Sequence, residues 1–129
     1  MTASRDAERD PVTSSIIGAA IEVHRNLGPG LLESIYETCL AWELHNRGVC
    51  VEQQVAVPVT YKGLQLALAY RLDLLVEGSV IVEVKAVERI HPLADAQLLT
   101  YLRLMGLRTG LILNFNVGLM RDGVRRLVL

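Results

Sequence analysis

Hydrophobic residues recur at two different spacings along the chain. From about residue 51 to 87 they alternate with polar residues, as in strands, and on either side they recur every three to four positions, as in helices with one buried face. Glycine and proline residues mark the boundaries. The sequence predicts a helix capped by Thr13 or Ser14, a helix at 31–47, strands at 51–61, 64–76 and 79–87, a helix from Pro92 to Gly106, and strands at 108–114 and 124–129.

This order of elements predicts an α+β fold with a mixed sheet. Three strands joined by short turns form an antiparallel meander, whereas the helix before the fourth strand makes a crossover, which favours a parallel fourth strand. Pro58 predicts either an edge position for the first strand or a position whose amide side faces outward, because proline lacks an amide proton. Asp122-Gly123 predicts a hairpin before the last strand. The second helix is expected to bury a stripe of Leu32, Ile35, Cys39, Leu40 and Leu44.

The predicted hairpin at 72–85 has one apolar face and one charged face. If Val76 pairs with Val80, the register sets Asp73 opposite Glu83, and Lys85 lies on the same face two residues further on. The apolar face would then consist of Leu72, Leu74, Val76, Val80, Val82 and Val84.

The charged face suggests a metal site. Two opposed carboxylates, with Cβ atoms about 5 Å apart, repel each other unless a proton or a cation lies between them. Mg²⁺ takes oxygen ligands and often combines one or two carboxylates with a substrate phosphate, and Lys85 could steady that phosphate or the attacking water. Alternatively, Lys85 forms only a salt bridge with one acid, which is common on sheets.

Composition limits the remaining possibilities. The 129 residues suggest a single domain at 12–129 after a flexible polar segment at 1–11. Aromatic residues make up only 5% of the chain, so we expect an aliphatic core and few exposed rings for stacking on bases. The net charge of −1 means that any affinity for phosphate must be local. The two cysteines, without an export signal, suggest free thiols and a cytoplasmic location, and no apolar run is long enough to span a bilayer.

Several motifs, in order along the chain, resemble those of one protein family. Gly30-Leu-Leu-Glu33-Ser-Ile-Tyr36 is similar to the signature of the GxxExxY proteins, a bacterial and archaeal branch of the PD-(D/E)XK nuclease superfamily. The segments at 70–76 and 82–88 resemble the strands that carry the metal ligands and the E-x-K motif. The segments at 96–102 and 110–115 resemble the second helix motif and the last core strand.

The resemblance implies a restriction-endonuclease-like α-β-β-β-α-β core and a nuclease that depends on Mg²⁺ (or Mn²⁺). It implies Asp73 and Glu83 as metal ligands completed by Glu33, Lys85 as the catalytic lysine, and a site lined by Gln97 and Tyr101 as further catalytic residues. On this hypothesis, Arg71, Arg89 and Arg103 bind backbone phosphates of a nucleic acid, with DNA as the expected substrate. A homodimer would suit cleavage of both strands.

Other interpretations stay open. Gln97 and Tyr101 share a helix face at i,i+4 and could simply cap the sheet edge, while Glu33 taken alone resembles a solvated helix acid. We interpret Tyr36 as a packing residue, and His24 and His91 as residues at helix ends rather than ligands. The whole protein could be a catalytically silent member of the fold that binds nucleic acid or a partner protein, or an enzyme acting on another phosphodiester.

Overall fold

The computed structural model describes residues 10–129, apart from the side chains of 67–69. Of the flexible segment predicted at 1–11, residues 1–9 lie outside the described residues. The predicted helices and strands occur, and β1 and β2 have the predicted bounds. In chain order the elements are α1 (Pro11–Leu27), α2 (Glu33–Asn46), β1 (Val51–Tyr61), β2 (Leu64–Val76), β3 (Val80–Lys85), α3 (Leu93–Met105), β4 (Thr109–Asn114), a short 3-10 helix (Met120–Gly123) and β5 (Val124–Val128).

The first helix begins earlier than predicted. The carboxylate of Asp10 accepts two backbone N–H groups of the first turn and the hydroxyl of Thr13, so the predicted cap at Thr13 or Ser14 is wrong. Pro11 follows the cap, where its fixed φ suits a helix and its missing N–H costs nothing. Gly28 ends the helix with a φ of 69°, as predicted.

The second helix buries part of the predicted stripe: Leu40 and Leu44 are fully buried and Cys39 packs against the same core, as predicted. Leu32 and Ile35 are 72% and 40% exposed, so they do not belong to the core. Tyr36 stacks on Phe115 with a centroid distance of 4.6 Å and its ring is fully buried, which confirms it as a packing residue and sets the rotation of the helix. The buried residues of α2 are Tyr36, Leu40, Ala41 and Leu44.

The sheet has five strands in the order β1-β2-β3-β4-β5 in the part of the chain that the structure describes. β3 and β4 are parallel, joined by the α3 crossover, and the other neighbours are antiparallel, as the sequence predicted. β1, which contains Pro58, is an edge strand, also as predicted. The segment from α2 to β4 therefore has the expected α-β-β-β-α-β order of a restriction-endonuclease-like α+β fold.

The β2–β3 hairpin has the predicted register only next to its turn. Its paired residues are Val76–Val80, Leu75–Ile81 and Leu74–Val82. Beyond this point Leu72 packs in a different apolar cluster from Leu74, so the alternation of faces along β2 is interrupted at Asp73. Gln54 of the neighbouring strand lies between residues paired with Leu74 and Leu72, and its φ of 53° marks the same irregularity. The predicted apolar face is therefore wrong for Leu72.

Two apolar clusters cover the sheet and make a three-layer arrangement. The larger one joins α1 and α2 to one side of the sheet and contains Tyr36 and Phe115. The smaller one joins α3 to the other side through Leu98, Tyr101 and Leu102. Aliphatic residues make up most of both clusters, as expected. No helix within residues 10–129 has both the length and the apolar character needed to cross a membrane.

The connection from β4 to β5 differs from the predicted hairpin. The two strands are antiparallel, but residues 115–123 join them through the 3-10 helix instead of a tight turn at Asp122-Gly123. Gly123 packs so closely that a Cβ atom would lie 2.0 Å from the carbonyl oxygen of Asn114. The glycine is therefore required by a close approach to the end of β4.

Candidate active site

The irregularity in β2 directs one acid toward the next strand. Asp73 is not paired with Glu83 in the ladder as predicted; its Oδ2 atom accepts the N–H of Val84 at 2.8 Å. This contact holds the Asp73 carboxylate against β3. The two predicted acids are brought together, but through a side-chain contact rather than through regular pairing.

Glu83 has an unusual environment for a carboxyl group. Burial, then the neighbouring Asp73, raise its pKa to about 9, and the charge of Lys85 opposes this shift only in part. Its Oε1 atom is buried without a hydrogen-bond partner in the described residues. A free acceptor oxygen beside a second carboxylate suits either a shared proton or a divalent cation, so these two residues fit the predicted metal.

Lys85 follows Glu83 on β3 and faces a surface cleft. The ion pairs in the described residues are Glu22–Arg25, Glu43–Arg47 and Asp95–Arg125, and none of them involves Lys85. The structure therefore does not support the simple salt-bridge alternative. Lys85 lines a cleft of about 770 Å³, where its ammonium group can reach a bound anion.

Glu33 lies at the rim of the same cleft. It begins α2, and its Oε1 atom accepts the N–H of Ala86 at 3.3 Å, which ties the start of this helix to the end of β3. Within residues 10–129 no three His, Cys, Asp or Glu side chains are grouped so that they could hold a metal ion. Of the three acids predicted as metal ligands, Asp73 and Glu83 therefore lie together, and Glu33 is not grouped with them.

Tyr101 and Gln97 extend the site along α3. Tyr101 is 5% exposed, and burial, followed by the Glu83 charge, raises the pKa of its hydroxyl, so it stays protonated as a hydrogen-bond donor. Gln97 is exposed and forms a hydrogen bond with Tyr101. Both line the cleft with Lys85, which favours a site position over the sheet-edge alternative.

The three arginines that were predicted to bind backbone phosphates lie in different places in the structure. Arg89 is exposed and lines the cleft. Arg71 instead donates to the carbonyl oxygen of Gln54 at 3.2 Å, and Arg103 donates to the Thr100 hydroxyl at 3.4 Å. The side chains of Arg71 and Arg103 are not part of the cleft lining, so only Arg89 accompanies Lys85 there.

Both histidines have the expected structural positions at helix ends. His91 Nδ1 accepts the N–H of Leu93 at 3.0 Å at the start of α3. His24 is buried near the end of α1, with Nε2 2.7 Å from the carbonyl oxygen of Val117. These contacts explain both residues without a ligand role.

Sequence reasoning missed two residues that shape this site. Asn114 ends β4 and forms two hydrogen bonds with the backbone of Val87, which hold the segment carrying Arg89 beside the cleft. A polar residue closing an otherwise apolar strand was the available signal. Tyr70 is 59% exposed in the cleft wall, although the sequence led us to expect few exposed rings for stacking.

Comparison with known proteins agrees with the fold. The model of a family described as the PD-(D/E)XK nuclease superfamily matches residues 10–127, which is nearly the whole chain. Searches of curated proteins and of solved structures each found no match. The narrower assignment to the GxxExxY branch stays a prediction. The chain belongs to the PD-(D/E)XK nuclease superfamily.

Proposed function

We propose that this protein is a metal-dependent nuclease that hydrolyses phosphodiester bonds, with DNA as its expected substrate. The observation that carries the proposal is the buried Oε1 atom of Glu83, which has no partner in the described residues and lies beside Asp73. Membership of a nuclease superfamily supports the same reaction class. Asp73 and Glu83 would hold Mg²⁺ or Mn²⁺, which when bound would activate water and polarise the phosphate.

The surrounding residues would bind and orient the substrate. Lys85 would hold a phosphate oxygen or the attacking water, and its ammonium group would stabilise the negative charge that develops on phosphorus. Arg89 would bind a neighbouring backbone phosphate. Tyr101, positioned by Gln97, would donate a hydrogen bond from its protonated hydroxyl.

The remaining predicted roles are weaker parts of the proposal. Glu33 would assist from the cleft rim, where its carboxylate is already held by the Ala86 amide. Arg71 and Arg103 would act only on parts of a substrate that extend beyond the cleft. A homodimer and a cytoplasmic location stay predictions, and size-exclusion chromatography with light scattering tests the first.

A cleavage assay with matched lysine variants tests the proposal. Wild-type protein is incubated with plasmid, single-stranded and branched DNA, and RNA, with Mg²⁺ or Mn²⁺ and with a chelator. Lys85→Ala should lower the cleavage rate about 100-fold or more, the usual effect of losing one such electrostatic group. Lys62→Ala is the matched control, since Lys62 lies in the β1–β2 turn over the ring of Tyr61.

Metal binding supplies a second, independent readout. Titration calorimetry with Mn²⁺ should detect a site in the wild type that is lost in Glu83→Gln. If no substrate is cleaved and no Mn²⁺ binds, the proposal fails. Nucleic-acid binding without turnover would instead support the catalytically silent alternative.

A further inference from the structure

The cleft beside Lys85 has a largely apolar wall. Its volume of about 770 Å³ is within the range of small-molecule sites and is sufficient for a nucleotide. An acid-and-lysine site that only gripped backbone phosphates would need no such wall. The apolar and aromatic residues that line it include Val59, Tyr70, Val87, Leu93, Tyr101 and Leu104.

Tyr70 is the exposed aromatic ring of this wall. Its neighbour Tyr101 is buried, and the two ring centroids are 5.8 Å apart with the planes tilted by 45°. Tyr101 therefore supports the Tyr70 ring, while 59% of Tyr70 stays exposed. A supported but exposed ring is the kind of surface on which nucleobases stack, and each stacked base typically contributes about 1–3 kcal/mol.

The charges of the cleft suit one strand rather than two. Apart from His91, its basic lining residues are Lys85 and Arg89, and Glu33 adds an acid at the rim. Binding to a duplex relies mainly on many cationic contacts to phosphates of both strands. Two cations are enough for the phosphates on either side of one nucleotide, and the apolar wall must then provide the remaining affinity.

We propose that the cleft binds an unpaired nucleobase against Tyr70, with the scissile phosphate of the same strand at Lys85. The protein then acts on single-stranded nucleic acid or on a single-stranded segment of a larger one. Inside a duplex both faces of each base are covered by neighbouring bases, so only the two end base pairs offer a face on which the wall can stack. This inference rests on the proposed function, which it makes more specific.

Binding in a chelating buffer tests the inference without cleavage. Fluorescence anisotropy compares a labelled single-stranded DNA of mixed sequence, the matching RNA, and the blunt duplex of the same DNA. The wild type should bind the single strands about tenfold or more tightly than the duplex. Tyr70→Ala should weaken single-strand binding about tenfold or more, within the range that loss of one stacked base produces.

Two further variants separate stacking from other effects. Tyr70→Phe keeps the ring and should retain most of the affinity. Tyr61→Ala removes a tyrosine that is equally exposed, at 61%, but lies outside the cleft lining, and it should leave binding unchanged. Because Tyr70 is mostly exposed, Tyr70→Ala should keep the wild-type circular dichroism spectrum.

The outcomes distinguish this inference from the proposed function. Equal binding of duplex and single strands, or normal single-strand binding by Tyr70→Ala, overturns the inference even if the protein cleaves duplex DNA. Binding of single strands that depends on Tyr70, without any cleavage when Mg²⁺ is added, supports the inference and removes the nuclease proposal.

Discussion

The raised pKa of Glu83 predicts how protein stability depends on pH when no metal is bound. The carboxyl group has an ordinary pKa near 4.5 in the unfolded chain and about 9 in the folded protein, because burial of its Oε1 atom and then the neighbouring Asp73 disfavour the charged form. Between these values the folded state holds a proton that the unfolded state has lost. The free energy of unfolding should therefore be highest at low pH and should fall as the pH rises toward 9.

The magnitude follows from the linkage relation. One bound proton corresponds to about 1.4 kcal/mol per pH unit, so the wild type should lose about 3 kcal/mol between about pH 6 and pH 8 through this group alone. Glu83→Gln has the same shape but no titrating group, and it should lack this loss. Glu52→Gln, which alters an exposed acid of β1, is the matched control and should follow the wild type.

Urea unfolding in chelating buffer, followed by circular dichroism, measures these differences. If the wild type and Glu83→Gln change in parallel across the pH range, Glu83 is ionised in the folded protein and the reasoning is refuted. Adding Mg²⁺ at the higher pH gives a second check. The cation should stabilise the wild type but not Glu83→Gln, because it replaces the proton between the two acids.

Two other substitutions test the packing around the end of β4. Gly123→Ala should destabilise the fold by about 3 kcal/mol in urea unfolding, since its Cβ would lie 2.0 Å from the Asn114 carbonyl oxygen. The control is Gly118→Ala, which has no atom within 4 Å of its Cβ and should change the free energy of unfolding by less than about 0.5 kcal/mol. Equal effects of the two substitutions would contradict this packing. Asn114→Ala should cost about 2 kcal/mol because it leaves the half-buried N–H and carbonyl of Val87 without their Asn114 partners. It should also weaken single-strand binding through Arg89, and unchanged binding would show that this segment keeps its position without Asn114.

Some features of the candidate site could be predicted from the local sequence, and others depend on contacts between distant parts of the chain. Asp73, Glu83 and Lys85 could be proposed as site residues from the chain because their types and spacing suit a metal and a phosphate. Their proximity was also predicted, but the contact that produces it was not, since Asp73 is not paired with Glu83 in the ladder and instead reaches β3 through a contact with Val84, eleven residues away. The same holds for Arg71 and Arg103, which looked equivalent to Arg89 until the fold directed them to Gln54 and Thr100.

The sequence by itself determined the type and order of the α-helices and strands, the bounds of β1 and β2, the edge position of β1 and the parallel entry of β4. These features depend on periodicity, proline chemistry and connection length, which are local properties of the chain. Only the tertiary structure decided which side of α2 is buried, because the stacking of Tyr36 on Phe115 sets the rotation of the helix. It also decided that β2 departs from strict alternation at Asp73 and that Tyr70 stays exposed over a buried Tyr101. Such outcomes require partners that are distant in sequence, so no local pattern could encode them.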